Sequence, residues 1–191
     1  MLLMMTPMSL PYHKWSTHIL GDLSKAKPMP VTDISKNLAL STMTVFSEWA
    51  APLDSAWQLW ADPRKLERWW GPPTYPATVV DHELRPEGKV SYFMTGPEGD
   101  QYHGWWTVLA VDAPHRLELV DGFADSDGVP NDELPVTTLV VTFTSLPNGD
   151  TRMVLESQFP SAAAMEQVLA MGMEEGLAAA MSQIESILAS S

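Results

Sequence analysis

The residues of this sequence with the clearest capacity to bind a small molecule are two adjacent tryptophans, Trp69 and Trp70, followed directly by Gly71. A pair of indoles can stack on a flat ligand or close the mouth of a pocket, because aromatic side chains combine a large apolar face with a polar edge. In the alternative interpretation, one ring belongs to the core and the other plugs the pocket. We predict direct ligand contact for at least one ring of the pair.

Three further side chains could anchor a polar group of such a ligand: His82, Tyr92 and Tyr102. His82 alternates with Val80 and Leu84, which predicts that it lies on the buried face of a strand. A buried neutral imidazole can orient a ligand or transfer a proton, but a hydrogen-bonded core histidine shows the same pattern. Since no acid–base partner for His82 is evident, the sequence predicts anchoring groups and no catalytic residue.

Flexible apolar side chains complete the predicted ligand contacts. Methionine adapts its shape, which suits a pocket that collapses when empty and opens around a guest. The alternative is that these side chains simply fill an irregular core. The predicted apolar contacts are Met94, Met153, Met173, Leu177 and Met181.

Motifs of covalent, nucleotide-dependent and metal-dependent catalysis are missing from the sequence. It has no Gly-x-Ser-x-Gly elbow, no phosphate-binding loop, no dinucleotide fingerprint and no His-Glu-x-x-His. Cysteine is absent, which excludes disulfides and thiolate zinc sites. The acidic segment from Asp125 to Pro135 lacks the spacing of a calcium loop, so a solvated loop is expected. The sequence thus predicts no metal and no cofactor, and it favours a binding protein over an enzyme.

Composition and charge restrict the partners. The chain has 191 residues, 45% of them hydrophobic, and a formal net charge of -13. Such an acidic field repels phosphate backbones and anionic membrane surfaces, so neither nucleic acid nor a membrane is an expected partner. No apolar run approaches the roughly 20 residues of a membrane-spanning helix, and no signal peptide is recognised. We therefore expect a cytoplasmic location.

Two short helices are predicted after the first strand, and the second helix positions the tryptophan pair. The strand begins at Leu38 and alternates between two faces as far as Trp49. Ala51-Pro52 then begins one helix, and Asp62-Pro63 begins the next, with the aspartate as its N-cap. This second helix ends at the tryptophan pair, because the glycine and two prolines that follow cannot continue it.

Six further strands are predicted, and short turns join most of them. Tight turns imply antiparallel neighbours, so we expect an antiparallel meander. The clearest hairpin signal is Asn148-Gly149, since this pair favours the positive φ angles of hairpin turns. The predicted strands are Ala77–Leu84, Lys89–Thr95, Gln101–Asp112, Arg116–Phe123, Thr137–Ser145 and Thr151–Phe159.

A long C-terminal helix is predicted from Met173 to Leu188, where apolar residues recur at helical spacing. The period fails before this segment, which predicts a break near Gly172 and a short separate helix in front of it. The fold class is therefore α+β, with a curved antiparallel sheet of about seven strands wrapped around the long helix. Neighbouring strands twist by roughly 20–25°, and we expect the resulting curvature to leave a cavity between sheet and helix.

Residues 1–37 differ from the rest in being rich in proline and methionine, with no sustained helix or strand period. A loosely ordered extension is one interpretation. The other is a strap, with Trp15, Ile19 and Leu20 docked on the domain or on a second subunit of a homodimer. The folded domain is predicted to span residues 38–191.

Several motifs resemble one known family, in the same order along the chain. Trp69-Trp70-Gly71 and the segment from Met171 to Gly176 are similar to the family related to the activator of the 90-kDa heat-shock protein ATPase. That family belongs to the START-like (SRPBCC) superfamily, whose members have the helix-grip fold. The resemblance covers residues 40–190. The other matching motifs are Ala51-Pro52, Trp57, Asp62-Pro63, Leu84-Arg85-Pro86 with Gly88, Gly104-Trp105, Pro114 with Arg116-Leu117, and Gly149-Asp150-Thr151-Arg152.

Two positions depart from the pattern of the family. Glu87 stands where the family usually has a glycine, and Leu177 stands where it usually has a tryptophan. Since Leu177 is expected on the inner face of the helix, the ligand preference of relatives does not transfer to this chain.

Three functions follow from the fold and the resemblance. The leading hypothesis is a non-enzymatic protein that binds a small, mostly apolar molecule between the sheet and the C-terminal helix. The second is a stress-response role in contact with the 90-kDa heat-shock chaperone, as the family name implies. The third is an enzyme similar to polyketide cyclases and aromatases, which would need a titratable group with a perturbed pKa inside the cavity.

Overall fold

The computed structural model describes residues 31–190. Most of the N-terminal extension, including the predicted strap residues Trp15, Ile19 and Leu20, lies outside the described residues. Among the described helices, none is long and apolar enough to cross a membrane.

A single antiparallel sheet of eight strands forms the framework, in the order β1-β2-β8-β7-β6-β5-β4-β3. The predicted α+β class, the curved antiparallel sheet and its pairing with C-terminal helices are confirmed, with one strand more than expected. The strands are β1 (Val31–Asn37), β2 (Thr42–Trp49), β3 (Ala77–His82), β4 (Lys89–Thr95), β5 (Gln101–Asp112), β6 (Arg116–Ala124), β7 (Thr137–Ser145) and β8 (Thr151–Gln158).

The additional strand is β1, which lies in the segment that was expected to lack regular structure. It pairs antiparallel with β2 at one edge of the sheet. Its residues Asp33, Ser35 and Lys36 are exposed, while Val31 and Ile34 pack against the core. A polar edge strand carries little apolar alternation, which explains why the sequence pattern did not reveal it.

The second strand also begins later than predicted. Residues 38–41 form a turn, in which the Ser41 amide donates to the Leu38 carbonyl at 3.2 Å. Ser41 has a positive φ of 53°. The sheet therefore starts before the predicted boundary at residue 38, and the exposed Leu38 belongs to a connection and not to a strand.

The two short helices predicted after this strand are present, as α1 (Leu53–Ala61) and α2 (Pro63–Leu66). Asp62 caps the second helix, since its Oδ1 accepts a hydrogen bond from the Arg64 amide at 2.8 Å. The buried face of α1 carries Trp57 and Trp60, and both rings enter the core on the concave side of the sheet.

The C-terminal segment consists of three helices, α3 (Ala162–Ala170), α4 (Met173–Met181) and α5 (Ile184–Leu188). The break predicted near Gly172 is confirmed: this glycine has a φ of 90°, the left-handed conformation that glycine adopts without strain. A second interruption at residues 182–183, which the apolar period did not predict, divides the long helix into α4 and α5.

Candidate functional site

A cavity of about 140 Å³ lies between the sheet and the junction of α3 with α4. Its sheet side is formed by inward-facing residues of adjacent strands. On β4 to β6 these residues are Tyr92, Met94, Tyr102, Gly104, Asp121 and Phe123. Strands β7 and β8 add Thr137, Leu139 and Leu155.

The helical side of the cavity is apolar and flexible. It consists of Val168 and Met171 from the end of α3, and Met173, Gly176 and Leu177 from α4. The helix break at Gly172 separates the two groups, so no continuous helix surface presses against the sheet at this point.

Trp70 forms the wall between the cavity and the solid core. Its ring lies perpendicular to that of Trp106, with centroids 4.8 Å apart, and perpendicular to Tyr92 at 6.0 Å. Edge-to-face contacts of this kind hold aromatic rings in place. Trp70 therefore offers a fixed apolar wall to a bound molecule.

Asp121 is the one carboxylate among the described residues of the cavity lining. Its Oδ1 accepts hydrogen bonds from the Trp106 indole nitrogen at 2.7 Å and from the Tyr92 hydroxyl at 3.2 Å. Within residues 31–190, no hydrogen bond reaches its other oxygen, Oδ2. Burial raises the pKa of Asp121 to about 7, although both hydrogen bonds act in the opposite direction. This group can therefore accept or release a proton near neutral pH.

Gly104 makes room for the contact between Tyr92 and Asp121. In the sheet, Gly104 on β5 lies directly opposite Tyr92 on β4. A Cβ atom at Gly104 would lie 2.4 Å from Cζ of Tyr92 and 2.5 Å from its hydroxyl oxygen. Because this position has no side chain, the phenol can lie across β5 and reach the carboxylate on β6.

Six of the ten residues predicted to contact a ligand lie in the lining of the cavity. They come from the loop after α2, from β4 and β5, and from α4. They are Trp70, Tyr92, Met94, Tyr102, Met173 and Leu177.

Three predicted ligand contacts lie in the solid core instead: Trp69, Met153 and Met181 are each 0% exposed. Trp69 donates its indole proton to the Leu59 carbonyl at 2.9 Å, which satisfies the ring inside the protein. Met153 and Met181 belong to the buried core cluster. Both methionines occupy core positions, as the core-filling interpretation describes, and of the tryptophan pair only Trp70 lines the cavity.

His82 was predicted on a buried strand face together with Val80 and Leu84. The structure contradicts this for Val80, whereas His82 is half-buried and Leu84 packs against the core. A bulge between Val79 and Asp81 shifts the alternation, so Val80 is 62% exposed. The His82 ring lies 2.9 Å from the Trp60 carbonyl through its Nε2 atom. It is a hydrogen-bonded structural residue outside the cavity lining.

Sequence reasoning missed Asp121, although a signal was present. Leu117, Leu119 and Asp121 occupy alternate positions of a predicted strand, and the two leucines mark the buried face. An aspartate on the buried face of a strand is unusual, since burial disfavours its charge. That anomaly could have identified the titratable group of the cavity.

The comparisons with known proteins agree with this architecture. The family model described as "Activator of Hsp90 ATPase homolog 1-like protein" matches residues 50–189. A comparison with curated proteins found no match.

Among solved structures, protein Ms6760 from Mycobacterium smegmatis is 52% identical, with a TM-score of 0.78 over 83% of this chain and 97% of that chain. A protein from Arthrobacter aurescens is 43% identical, with a TM-score of 0.81 over 84% and 93% of the two chains. The AHSA1 protein from Silicibacter pomeroyi, at 19% identity and a TM-score of 0.63 over 78% and 97%, shares the fold.

Proposed function

We propose that this chain, which belongs to the family of Activator of Hsp90 ATPase homolog 1-like proteins, binds a small and largely apolar molecule in the cavity between the sheet and the α3–α4 junction. The observation that supports this function is a mostly apolar cavity of about 140 Å³, whose described lining residues include one carboxylate, Asp121. Apolar lining with a few polar groups is typical of small-molecule sites.

The volume indicates the size of the ligand. An engineered protein cavity of about 150 Å³ takes up benzene, so a single six-membered ring with a short substituent matches the space of about 140 Å³ found here. A fused multi-ring molecule would require the lining to move.

The expected affinity follows from the same size. A ligand that buries about 150 Å² of apolar surface gains about 4 kcal/mol at about 25 cal/mol per Å². Association costs reduce this gain, so a purely apolar ring should bind no more tightly than in the millimolar range. Tighter binding requires a polar contact.

The function can be tested with benzyl alcohol as the probe. We expect saturable shifts of the Met94 and Met173 methyl signals in NMR spectra, because both side chains line the cavity. Native mass spectrometry of freshly purified protein should in addition reveal a co-purifying small molecule.

A variant and a matched control give this test its specificity. Leu177→Trp places an indole in the cavity and should abolish the shifts, whereas Leu109→Trp adds the same bulk at an exposed position and should preserve them. The absence of saturable shifts in the unmodified protein would contradict the proposal, as would normal binding by Leu177→Trp.

Acid–base catalysis on a bound ring is the second candidate, and Asp121 is the observation that favours it. A carboxyl group with a pKa of about 7 can act as general base near neutral pH. Exchange of the α-protons of cyclohexanone in heavy water provides a test. Catalysis requires faster exchange with the unmodified protein than with Asp121→Asn, and equal rates would exclude it.

Contact with the 90-kDa heat-shock chaperone is a further candidate, supported by the description of the family alone. Its test is the ATPase rate of the chaperone with and without this protein. A rate that does not change over a range of protein concentrations would remove this candidate.

A further inference from the structure

We propose that the ligand of this cavity is a small organic cation, namely a protonated amine with a single-ring apolar body whose ammonium group binds Oδ2 of Asp121. This inference rests on the proposed function, because it assigns a chemical class to a molecule bound in the same cavity.

The geometry of the carboxylate is the first support. The Trp106 indole and the Tyr92 hydroxyl both donate to Oδ1, so the orientation of the Asp121 carboxylate is fixed before any ligand arrives. The two donors leave Oδ2 as the atom available to a guest in the cavity that Asp121 lines. A fixed acceptor loses little freedom on binding, which favours affinity.

The second support is a missing positive charge. Among the described residues 31–190, those that line the cavity include no lysine and no arginine. Burial without a compensating cation raises the pKa of Asp121 to about 7. A ligand ammonium would supply this positive charge. Because the carboxylate is already desolvated in the folded protein, binding does not have to remove its water again. A neutral ligand would leave the ionised carboxylate without a partner of opposite charge.

The aromatic lining is the third support. Trp70, Tyr92, Tyr102 and Phe123 present rings to a cavity of about 140 Å³. The faces of aromatic rings attract cations within about 6 Å of their centroids. The formal net charge of -13 acts in the same direction, because it raises the local concentration of cations.

Few other groups near Asp121 can change charge. Its neighbours in the sheet register are Trp106 on β5 and Thr137 on β7, and Tyr92 reaches it from β4. The lining residues of α3 and α4 are uncharged. Of the described lining residues, His103 is the remaining titratable one besides the two tyrosines, and its ring lies against Phe93 with centroids 5.5 Å apart.

The test compares benzylamine with benzyl alcohol, two probes of nearly equal size and shape. At pH 8 we expect benzylamine to bind about tenfold more tightly, because a hydrogen bond to a charged group is stronger than a hydrogen bond between neutral groups. Equal affinities would overturn the inference and leave the proposed function standing. If neither probe binds, the proposed function fails as well.

The pH dependence gives a second measurement on the unmodified protein. Benzylamine affinity should rise about tenfold from pH 6 to pH 8 as Asp121 ionises with its pKa of about 7, since an alkylammonium stays protonated in this range. Benzyl alcohol should show no such rise. A flat profile for benzylamine would overturn the inference.

Two variants test whether the preference for the amine and its pH dependence come from Asp121. Asp121→Asn retains an oxygen for Tyr92 and Trp106 but has no charge, so the preference for the amine should disappear. His103→Gln should preserve the pH dependence. A preference that persists in Asp121→Asn, or a pH dependence that is lost in His103→Gln, would contradict the assignment. Should Asp121→Asn fail to fold, the pH profile of the unmodified protein decides.

Discussion

The concave face of the sheet has a packed end and a hollow end, and the same strands build both. We use "packed end" for the core around Trp60, Trp69 and Trp106, and "hollow end" for the cavity lining. Strand β4 passes from Val90 at the packed end to Met94 at the hollow end. Since strands β5 to β8 pass between the two ends in the same way, the strands alone do not determine where the cavity forms.

The difference lies in the helices that cover each end. At the packed end, α1 and α5 insert bulky side chains, including Trp60 and Ile184, both 0% exposed. At the hollow end, the covering element is the junction of α3 and α4, where Gly172 breaks the helix and Gly176 carries no side chain. In a helix-grip protein, the position of a helix break can therefore determine the position of a cavity.

The largest effect is expected from Trp60→Ala at the packed end. Trp60 contacts the rings of Trp69 at 5.0 Å, Trp70 at 5.5 Å and Trp106 at 5.9 Å, measured between centroids. Truncation of such a ring should lower the free energy of unfolding by about 3–5 kcal/mol. Urea denaturation measures this change.

The matched substitution at the hollow end is Leu177→Ala. Leu177 is half-buried and already faces empty space, so its truncation should cost only about 1 kcal/mol. Similar losses for the two variants would show that the hollow end is packed in solution, and the comparison between the two ends would fail.

The second prediction concerns the boundary between the two ends, where Asp121 lies. The native state holds the proton of Asp121 up to pH about 7, whereas the unfolded chain releases it near its ordinary value of 3.8. Between these values the native state binds more protons, so rising pH favours unfolding through this group. Above pH about 7 both states have released this proton, so the loss of stability caused by Asp121 no longer grows with pH.

Asp121→Asn removes this titration, and its stability relative to the unmodified protein should therefore rise by a few kcal/mol from pH 4 to pH 7 and then level off. Urea denaturation of both proteins across this range gives the difference, from which the contributions of all other groups cancel. A difference that does not change with pH would mean that water reaches Asp121 freely.

Local signals in the sequence predicted most of the fold and only part of the site. Turn residues and alternation located β3 to β8 within two residues. Asp62 marked the start of α2 because its side chain caps that helix, and Gly172 marked the break before α4 because glycine adopts a positive φ without strain. The bulge at Val80 was not predictable, because it depends on the register between two strands. Whether a methionine such as Met153 lines a cavity or fills a core depends on how closely a helix approaches it, which apolar periodicity does not encode.

The third prediction compares two glycines on opposite faces of the sheet. A Cβ atom at Gly104 would lie 2.4 Å from the ring of Tyr92, and a Cβ atom at Gly122 would lie 2.5 Å from the ring of Trp105. Either Gly→Ala change must displace an aromatic ring, at a cost of about 1–3 kcal/mol. Urea denaturation should give similar losses for the two variants.

Only Gly104→Ala should change the pKa of Asp121 in the cavity wall. Displacement of Tyr92 removes a hydrogen bond that lowers the pKa of Asp121, so this pKa should rise further. Gly122→Ala acts on the opposite face and should leave the pKa unchanged. Carbon-13 NMR titration of the carboxyl signal measures both values, and equal pKa values in the two variants would contradict the arrangement.

The smallest effect is expected at Glu87, in the turn between β3 and β4. Glu87 is exposed and has a positive φ of 63°, a conformation in which its Cβ causes strain. Its amide donates to the Val108 carbonyl at 2.9 Å, which a glycine would also do. Glu87→Gly should therefore stabilise the protein by about 0.5–1 kcal/mol, the relief of strain less the greater freedom of glycine in the unfolded chain.

Glu87→Ala separates this backbone effect from the loss of a negative charge, since alanine retains the Cβ and with it the strain. It should leave the urea midpoint close to that of the unmodified protein, while Glu87→Gly raises the midpoint. Neither variant should alter the affinity for benzyl alcohol, because the turn lies outside the cavity lining. A midpoint raised equally by both substitutions would assign the effect to charge. A change in affinity would mean that the turn and the hollow end are coupled through the sheet.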